Sequence, residues 1–216
     1  LKFFKQPDYE SILKKQKQIR LSFENGLELI WPSSGLRREK KVKIDVVFTA
    51  MHGTYGEDGS LMGLLRMANV PFVGCDMTAS AVAMDKAFTK QVLEHEGVPV
   101  VPFVWFTKSD YEANKKPFLE KISKLKYPLF VKPVHLGSSI GMTKVKAPTP
   151  QPQGLGSSPQ AGELENAIEV AFHYDDKVLV EEGVENLTEV TLPIIGNDKL
   201  EFAHIEKPLN KSEFFD

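Results

Sequence analysis

The sequence lacks a second cysteine and lacks any long apolar run. Cys75 cannot form an internal disulfide, so we expect a reducing compartment, with Cys75 as a small buried apolar residue. No segment approaches the roughly 20 apolar residues that a membrane span requires. The apolar part of the first six residues is too short for a signal peptide. We therefore expect a cytoplasmic protein with no membrane partner.

An excess of positive charge is also missing. The formal net charge is -2 and the pI is about 6.3, which gives no electrostatic reason to expect a nucleic-acid partner. Basic clusters at 14–17 and 37–41 contain no interleaved aromatic residues, so we interpret them as solvated surface. The apolar fraction of 42% is ordinary for a globular protein, and 216 residues suffice for one large domain or two small ones.

The first candidate site follows a strand-like run at 46–50, whose consecutive apolar residues are typical of a parallel strand buried on both faces. A glycine-rich loop, a helix at 60–68 and a second strand at 71–74 complete a predicted βαβ unit. The loop contains His52 and Glu57 at the carboxyl end of the strand, where open α/β sheets bind ligands. The helix N-terminus favours an anion such as a carboxylate. An ordinary turn with an incidental histidine explains the spacing alone equally well.

The second candidate is the Leu-Gly-Ser-Ser-Ile-Gly loop at 136–141, which follows a predicted strand at 129–133. Its backbone amides and the hydroxyls of Ser138 and Ser139 suit phosphate oxygens, and Lys132 supplies a compact positive charge. The loop is not a P-loop, because it lacks the Gly-Lys-Ser/Thr ending and no helix follows directly. An ordinary hairpin turn remains the alternative.

Three further charged residues are weaker candidates. Lys86 lies in a helix predicted to run unbroken over 80–96, where a solvated lysine is the usual case. Glu181 ends a predicted strand at 178–180, where its side chain or flanking backbone suits an adenine edge. Glu189, in the next loop, suits a ribose hydroxyl pair. Acidic residues beside a loop are commonly just solvated.

Other segments set the architecture. The spacing predicts a further helix at 111–125, and Gly97 as the cap that ends the preceding helix. Proline, glycine and glutamine dominate 147–162, which predicts an exposed, mobile insertion. Two paired strands are predicted at 190–195 and 200–205. The histidines show no metal-ligand spacing, although His135 borders the phosphate loop.

Taken together and in order, these motifs are far more specific than any one of them. The segment 52–65, His-Gly-Thr-Tyr-Gly-Glu-Asp-Gly-Ser-Leu-Met-Gly-Leu-Leu, resembles the signature of D-alanine–D-alanine ligases, which are ATP-grasp enzymes. Four more segments resemble the same family, and they lie at 79–86, 130–133, 136–145 and 175–181. The resemblance extends from about Asp45 to Asn197.

This resemblance implies an α/β and α+β protein with the ATP-grasp fold. Residues 1–83 would form an N-terminal α/β substrate domain, which is incomplete. Residues 84–180 would form a central ATP-grasp subdomain with the mobile insertion at 147–162. Residues 181–216 would begin the C-terminal subdomain, the rest of which is missing.

The resemblance also implies roles for individual residues. Lys86 and Lys132 match lysines that contact ATP phosphates, and Ser138 and Ser139 match a loop that closes over the γ-phosphate. Ser138 also matches a serine that hydrogen-bonds on the substrate side and, with His52, is the implied catalytic residue. The remaining matches concern the nucleoside and the first substrate. Glu181 and the backbone of Val184 match the adenine edge, Glu189 matches the ribose acid, and His52 and Glu57 match residues near the first D-alanine.

The implied reaction is the ligation of two D-alanines through an acyl phosphate, for peptidoglycan precursors, by a homodimer that uses ATP and Mg²⁺. The family's opening Gly-Gly-x-Ser-x-Glu loop, its lid and its magnesium-binding Glu-x-Asn motif have no match here. We therefore expect the magnesium ligands outside this chain and no ligation by these 216 residues alone. The spacing from Glu181 to Glu189 is one residue longer than the family's. Two alternatives stay open, namely an inactive binding relative and a ligase with D-lactate or D-serine as second substrate.

Overall fold

A computed structural model describes residues 14, 18–24, 26–33, 38–146 and 159–208, with the backbone alone at 159–161. The chain divides into two compact units, Leu1–Ala81 and Val82–Asp216. The three-part division at 1–83, 84–180 and 181–216 stays a prediction.

The first unit contains an antiparallel meander and a βαβ element. The meander consists of strands β1 (Arg20–Ser22), β2 (Glu28–Trp31) and β3 (Lys40–Lys43), in that order. The βαβ element consists of β4 (Val47–Phe48), helix α1 (Ser60–Met67) and β5 (Phe72–Val73). Strands β4 and β5 pair in parallel, with Val47 opposite Phe72, so the predicted βαβ unit is confirmed.

Burial around β4 differs from the prediction. Phe48 is 78% exposed and Val46 is also exposed, so two-sided burial of this strand is wrong for the described residues. The physical reason is that, among the described strands, only β5 pairs with β4. Cys75, expected to be buried, is exposed because it follows the short strand β5 in a connecting segment.

The second unit is built on a four-stranded antiparallel sheet in the order β6-β9-β7-β8. Its strands are β6 (Phe103–Thr107), β7 (Leu129–Pro133), β8 (Thr143–Val145) and β9 (Lys177–Glu182). Helix α6 (Pro159–Tyr174) packs on one face, and the fully buried side chains of this core include Phe106, Ile122, Leu129, Val131, Ile168 and Val180.

The side chains of β7 point alternately toward that core and toward the opposite face of the sheet. Leu129, Val131 and Pro133 are buried, whereas Phe130 and Lys132 between them are only half-buried. Successive residues of a strand point to opposite faces of the sheet. Lys132 is therefore on the face opposite the main core, beside a smaller buried group formed by Ala87, Val134 and Leu179.

The single helix predicted over 80–96 is wrong. The structure has two helices, α2 (Met77–Met84) and α3 (Lys86–His95), which are separated at Asp85. The carboxylate of Asp85 accepts a hydrogen bond from the backbone N–H of Phe88 at 2.7 Å, so Asp85 caps a new helix. Lys86 is consequently the first residue of α3. Gly97 follows the end of α3 with a φ of 74°, as predicted.

The helix predicted over 111–125 is also divided, into α4 (Lys108–Ala113) and α5 (Lys116–Ile122). Thr107 caps α4 by accepting from the N–H of Asp110, and Pro117 occupies the first turn of α5, where its missing N–H costs nothing.

The remaining predictions have mixed outcomes. Strands β10 (Ile194–Ile195) and β11 (Glu201–Phe202) pair antiparallel, which confirms the predicted strand pair. Residues 147–158 of the predicted insertion lie outside the described residues, whereas 159–162 form the first turn of α6. Within the part of the chain that the structure describes, no helix is both long and apolar enough to cross a membrane.

Candidate functional site

A cavity of about 630 Å³ lies beside the β7–β8 hairpin in the second unit. Its volume falls within the range of small-molecule sites. Two lysines, two serines and one glutamate supply the polar part of its wall. The lining residues are Lys86, Lys132, Pro133, Leu136, Gly137, Ser138, Ser139, Ile140, Met142 and Glu189.

The turn between β7 and β8 has an uncommon backbone. Ser138 and Ser139 have φ values of 51° and 56°, two successive left-handed residues that are not glycine. Such conformations cost about 1–3 kcal/mol each and concentrate at functional sites. The N–H of Ile140 donates to the carbonyl of Gly137 at 3.2 Å and closes the turn. The fold thus places both serines in the cavity wall at a conformational cost.

Gly141 completes this turn with a φ of 70°. A Cβ atom here would lie 2.7 Å from Cδ2 of Tyr174 and 2.8 Å from Cγ of Pro133. Glycine is therefore required both for the backbone angle and for the close approach of α6 to the turn.

Lys86 extends its ammonium toward the end of β7. The Nζ atom donates to the carbonyl of Val134 at 3.1 Å and to the carbonyl of Leu136. Burial and the neighbouring positive charge of Lys132 lower the pKa of Lys86 below its usual 10.5. Two ammonium groups thus border one cavity, and the carbonyls that Lys86 contacts carry no charge, an arrangement that favours an anionic ligand.

Lys132 is held by Glu181, the one acidic residue that is buried in the described part of the chain. The Nζ of Lys132 lies 2.5 Å from Oε1 of Glu181, and the Nζ of Lys90 lies 2.7 Å from Oε2. Burial alone would raise the pKa of Glu181, but Lys132 and Lys90 outweigh it and hold the pKa below 4.5. Glu181 is therefore an ionised carboxylate between two lysines.

The loop with His52 lies in the first unit. Glu57 accepts a hydrogen bond from the N–H of Gly53 at 2.6 Å, and its other oxygen lies 3.9 Å from Nδ1 of His52, which is almost fully exposed. Asp58 accepts from the N–H groups of Tyr55 and Ser60. The first amide of α1, predicted to attract an anion, thus already binds the chain's own carboxylate.

Comparison with known proteins identifies the family. The family model described as D-ala D-ala ligase C-terminus matches residues 92–216, and the one described as D-ala D-ala ligase N-terminus matches residues 3–75. The first of these covers more than half of the chain. This chain belongs to the D-alanine–D-alanine ligase family.

Individual relatives agree with that assignment. The D-alanine–D-alanine ligase of Chloroherpeton thalassium is 36% identical over 97% of this chain and 54% of its own length. D-alanine–D-alanine ligase A of Escherichia coli K12 is 39% identical over 80% of this chain and 43% of its own length. The chain therefore spans about half the length of the curated relatives that it matches.

Solved structures of the family have the same fold. The D-alanine–D-alanine ligase of Helicobacter pylori matches with a TM-score of 0.71 and 27% identity, over 98% of this chain and 60% of that one. The VanG D-Ala:D-Ser ligase of Enterococcus faecalis matches with a TM-score of 0.69 and 33% identity, over 92% and 52%. The predicted ATP-grasp fold class is confirmed.

The structure groups most of the residues for which the ligase family predicts roles. Lys86, Lys132, Ser138, Ser139 and Glu189 line one cavity, so residues up to 103 positions apart in the sequence meet there. The other four residues do not line this cavity. Glu181 joins this group through its ion pair with Lys132, Val184 is exposed beyond β9, and His52 and Glu57 belong to the first unit.

Two features of the candidate site are not predicted from the sequence. Lys90 contacts Glu181, and its position four residues after Lys86 on one helix was a usable signal, since residues i and i+4 share a face. His135, to which no role was assigned, contacts Asp85 and Asp175. No spacing in the sequence indicates that second contact, because it depends on the turn between α6 and β9.

The described residues contain one candidate group of metal ligands. In that part of the chain, one group of acidic and histidine side chains has ligand atoms within 4.8 Å of one another, and it consists of His135, Asp175 and Asp176. Both oxygens of Asp175 already accept hydrogen bonds, from His135 and from the N–H of Lys177. Magnesium prefers an octahedron of oxygen atoms, so this group does not fit it.

Proposed function

We propose that this chain binds ATP and the first D-alanine as part of a ligase that joins two D-alanines for peptidoglycan precursors. The cavity with two lysines and the strained Ser138–Ser139 turn, in a segment matched by the family, carries the proposal. A cytoplasmic homodimer that uses ATP and Mg²⁺ is proposed with it, because the family resemblance implies both.

The phosphates of ATP would lie at the lysine end of the cavity. Two observations support this placement: both lysines line the cavity, and the ammonium of Lys86 contacts the uncharged carbonyls of Val134 and Leu136. The turn at Ser138 and Ser139 offers backbone N–H groups and hydroxyls to the γ-phosphate. Ser138 would also hydrogen-bond on the substrate side, beside the transferred group.

The nucleoside would lie toward β9. Glu181 is the next-to-last residue of that strand, and we propose that it or the neighbouring backbone meets the adenine edge, together with the backbone of Val184. Glu189 lines the same cavity as the lysines and would bind the ribose hydroxyls. His52 and Glu57 would contact the first D-alanine.

The proposed reaction has two steps. A carboxylate oxygen of the first D-alanine bonds to the γ-phosphorus of ATP while the bond from that phosphorus to ADP breaks. The amine of the second D-alanine then bonds to the acyl carbon, phosphate leaves with the former carboxylate oxygen, and the amine loses a proton. Lys86, Lys132 and the turn amides would offset the negative charge of the transferred phosphoryl group.

The test uses the complete gene product with ATP, Mg²⁺ and D-alanine. We expect ADP, phosphate and D-alanyl-D-alanine in equal amounts, identified by mass spectrometry. Lys132→Met should raise the dissociation constant for ATP, measured by titration calorimetry, by at least about 10-fold. The control Lys115→Met removes a lysine from an exposed pair with Glu165 and should leave ATP binding unchanged.

Other outcomes identify the alternatives. Binding of ADP and D-alanine without turnover would indicate an inactive binding relative. A dipeptide or depsipeptide formed preferentially with D-serine or D-lactate would indicate another second substrate, and the match to the VanG D-Ala:D-Ser ligase makes D-serine the first to test. Absence of ATP binding would contradict the proposal altogether.

A further inference from the structure

His135 connects two parts of the candidate site that are remote in sequence. Its backbone N–H donates to Oδ2 of Asp175 at 2.7 Å, and its Nδ1 lies 3.1 Å from both oxygens of that carboxylate. Its Nε2 lies 3.4 Å from Oδ2 of Asp85. The imidazole therefore bridges the turn before β9 and the junction of α2 and α3.

Both ends of this bridge adjoin the phosphate side of the cavity. Asp85 caps α3, whose first residue is Lys86, and the N–H of Lys86 donates to the carbonyl of Val134. His135 directly follows Val134 and precedes the turn with the two serines. The distance between Lys86 and this turn is thus set by the segment that His135 anchors.

The charges around the imidazole are mainly negative. Hydrogen bonds and positive neighbours outweigh burial and hold the pKa values of Asp85 and Asp175 below 3.8, so both carboxylates are ionised at neutral pH. Lys177 also contacts Oδ2 of Asp85, at 2.7 Å. Among the described residues, Asp85, Asp175 and Asp176 lie next to the imidazole. Lys177 contacts Asp85, and the charge of Lys86 interacts with both Asp85 and Asp175.

We propose that His135 is a positioning residue whose protonation tightens the phosphate side of the site and raises the affinity for ATP. The proposal rests on the proposed function. A neutral imidazole has one N–H, which the two contacts to Asp175 place on Nδ1. Protonation adds a second N–H on Nε2, which lies 3.4 Å from Oδ2 of Asp85. The bridge from the serine turn to the cap of α3 is complete only in the charged form.

A complete bridge lowers the cost of binding a nucleotide. Lys86 and the serine turn must contact phosphates at a fixed separation. If both are ordered before the nucleotide binds, the entropy lost in ordering them no longer weakens binding. Loss of the Asp85 contact leaves this carboxylate paired with Lys177, so the fold persists while the turn gains freedom. The KM for ATP should therefore change by a larger factor than kcat.

Two substitutions separate the contacts. In His135→Asn the amide reaches as far as Nδ1 and keeps only the Asp175 side of the bridge. In His135→Gln the amide reaches as far as Nε2 and can donate to Asp85 at every pH, while the backbone N–H of residue 135 keeps its hydrogen bond to Asp175. Neither side chain titrates, so each fixes one state of the bridge. All three proteins are compared at the same pH values between about 5 and about 8, where histidine changes charge, so that the titration of ATP itself cancels.

At low pH, His135→Asn should have a KM for ATP about 3- to 10-fold above wild type, the worth of about one hydrogen bond, and His135→Gln should resemble wild type. At high pH the Asn variant and wild type should converge, and the Gln variant should have the lowest KM. KM ratios that do not depend on pH would overturn the proposal. If the complete gene product does not ligate D-alanine, the proposed function is wrong, and dissociation constants for ATP from calorimetry still decide the role of His135.

Discussion

The ammonium of Lys90 lies 2.7 Å from Oε2 of Glu181, and both side chains are largely buried. Lys132 contacts the other oxygen of the same carboxylate. Glu181 is thus oriented by a residue of helix α3 on one side and by a strand residue on the other. Lys90 also lies 5.2 Å from the ring centroid of Phe103, which fixes its side chain further.

Lys90→Met should therefore weaken both the fold and the site. Glu181 keeps Lys132 as a partner, so we expect a loss of about 1–3 kcal/mol in the free energy of unfolding. With Glu181 less constrained, the dissociation constant for ATP should rise several-fold. Denaturant unfolding and titration calorimetry measure the two effects.

Lys115→Met is the matched control for Lys90→Met, since it breaks the exposed pair between Lys115 and Glu165. We expect less than about 1 kcal/mol from that loss. Equal losses of unfolding free energy in the two variants would show that burial does not strengthen the contact between Lys90 and Glu181.

The residues that line the cavity follow the sequence-based expectations more closely than the helices around them do. The serine turn was recognised because its residue types suit phosphate, and it does line a cavity with Lys86 and Lys132. The helix at 80–96 was predicted as one piece because apolar spacing continues through Asp85. The break depends on one side chain that caps its own backbone, a local competition that periodicity does not register.

Contacts between distant segments are not predicted from the sequence, for a different reason. Asp175 follows α6 and reaches His135 only because β9 lies next to β7 in the sheet. The strands were predicted individually, but the order β6-β9-β7-β8 was not. Without the order of strands, the side chains that meet across the sheet cannot be paired.

Gly141→Ala should destabilise the second unit. The new Cβ would lie within 3 Å of Tyr174 and Pro133, and the left-handed backbone disfavours alanine. We expect a loss of about 1–3 kcal/mol in the free energy of unfolding. The control is Gly137→Ala in the same turn, where a Cβ meets nothing within 4 Å and φ is not positive. Similar denaturation midpoints for both variants would contradict the packing argument.

Acid should unfold the protein partly through Asp175. Burial would raise the pKa of this carboxyl, but hydrogen bonds from His135 and Lys177 hold it below the usual 3.8. The folded state therefore binds fewer protons than the unfolded state, so this contribution to stability is complete above pH 3.8 and is lost as pH falls through the folded pKa. In Asp175→Asn the unfolding free energy should fall less steeply in that range, as measured by denaturant titrations. A slope equal to that of wild type would show that the contacts of Asp175 do not stabilise its charged form.

Tyr111 allows a test at alkaline pH, because its pKa is raised whereas that of Asp175 is lowered. Its ring packs against Phe106 and Phe118. Its buried hydroxyl has no hydrogen-bond partner among the described residues. Burial and the charges of Glu165 and Glu169 raise the pKa of Tyr111 from 10.0 to about 12. Tyr111→Phe removes an unsatisfied polar group and should raise the free energy of unfolding by about 1 kcal/mol at neutral pH.

The pH dependence of Tyr111→Phe follows from the same burial. Because the folded pKa is raised, the hydroxyl keeps its proton in the folded state while the unfolded chain loses it above pH 10.0. Wild type should therefore lose stability between pH 10.0 and about 12, a loss that Tyr111→Phe lacks. The advantage of the variant should grow across this range in urea titrations monitored by circular dichroism. A constant or shrinking difference would mean that the hydroxyl is solvated in the folded protein.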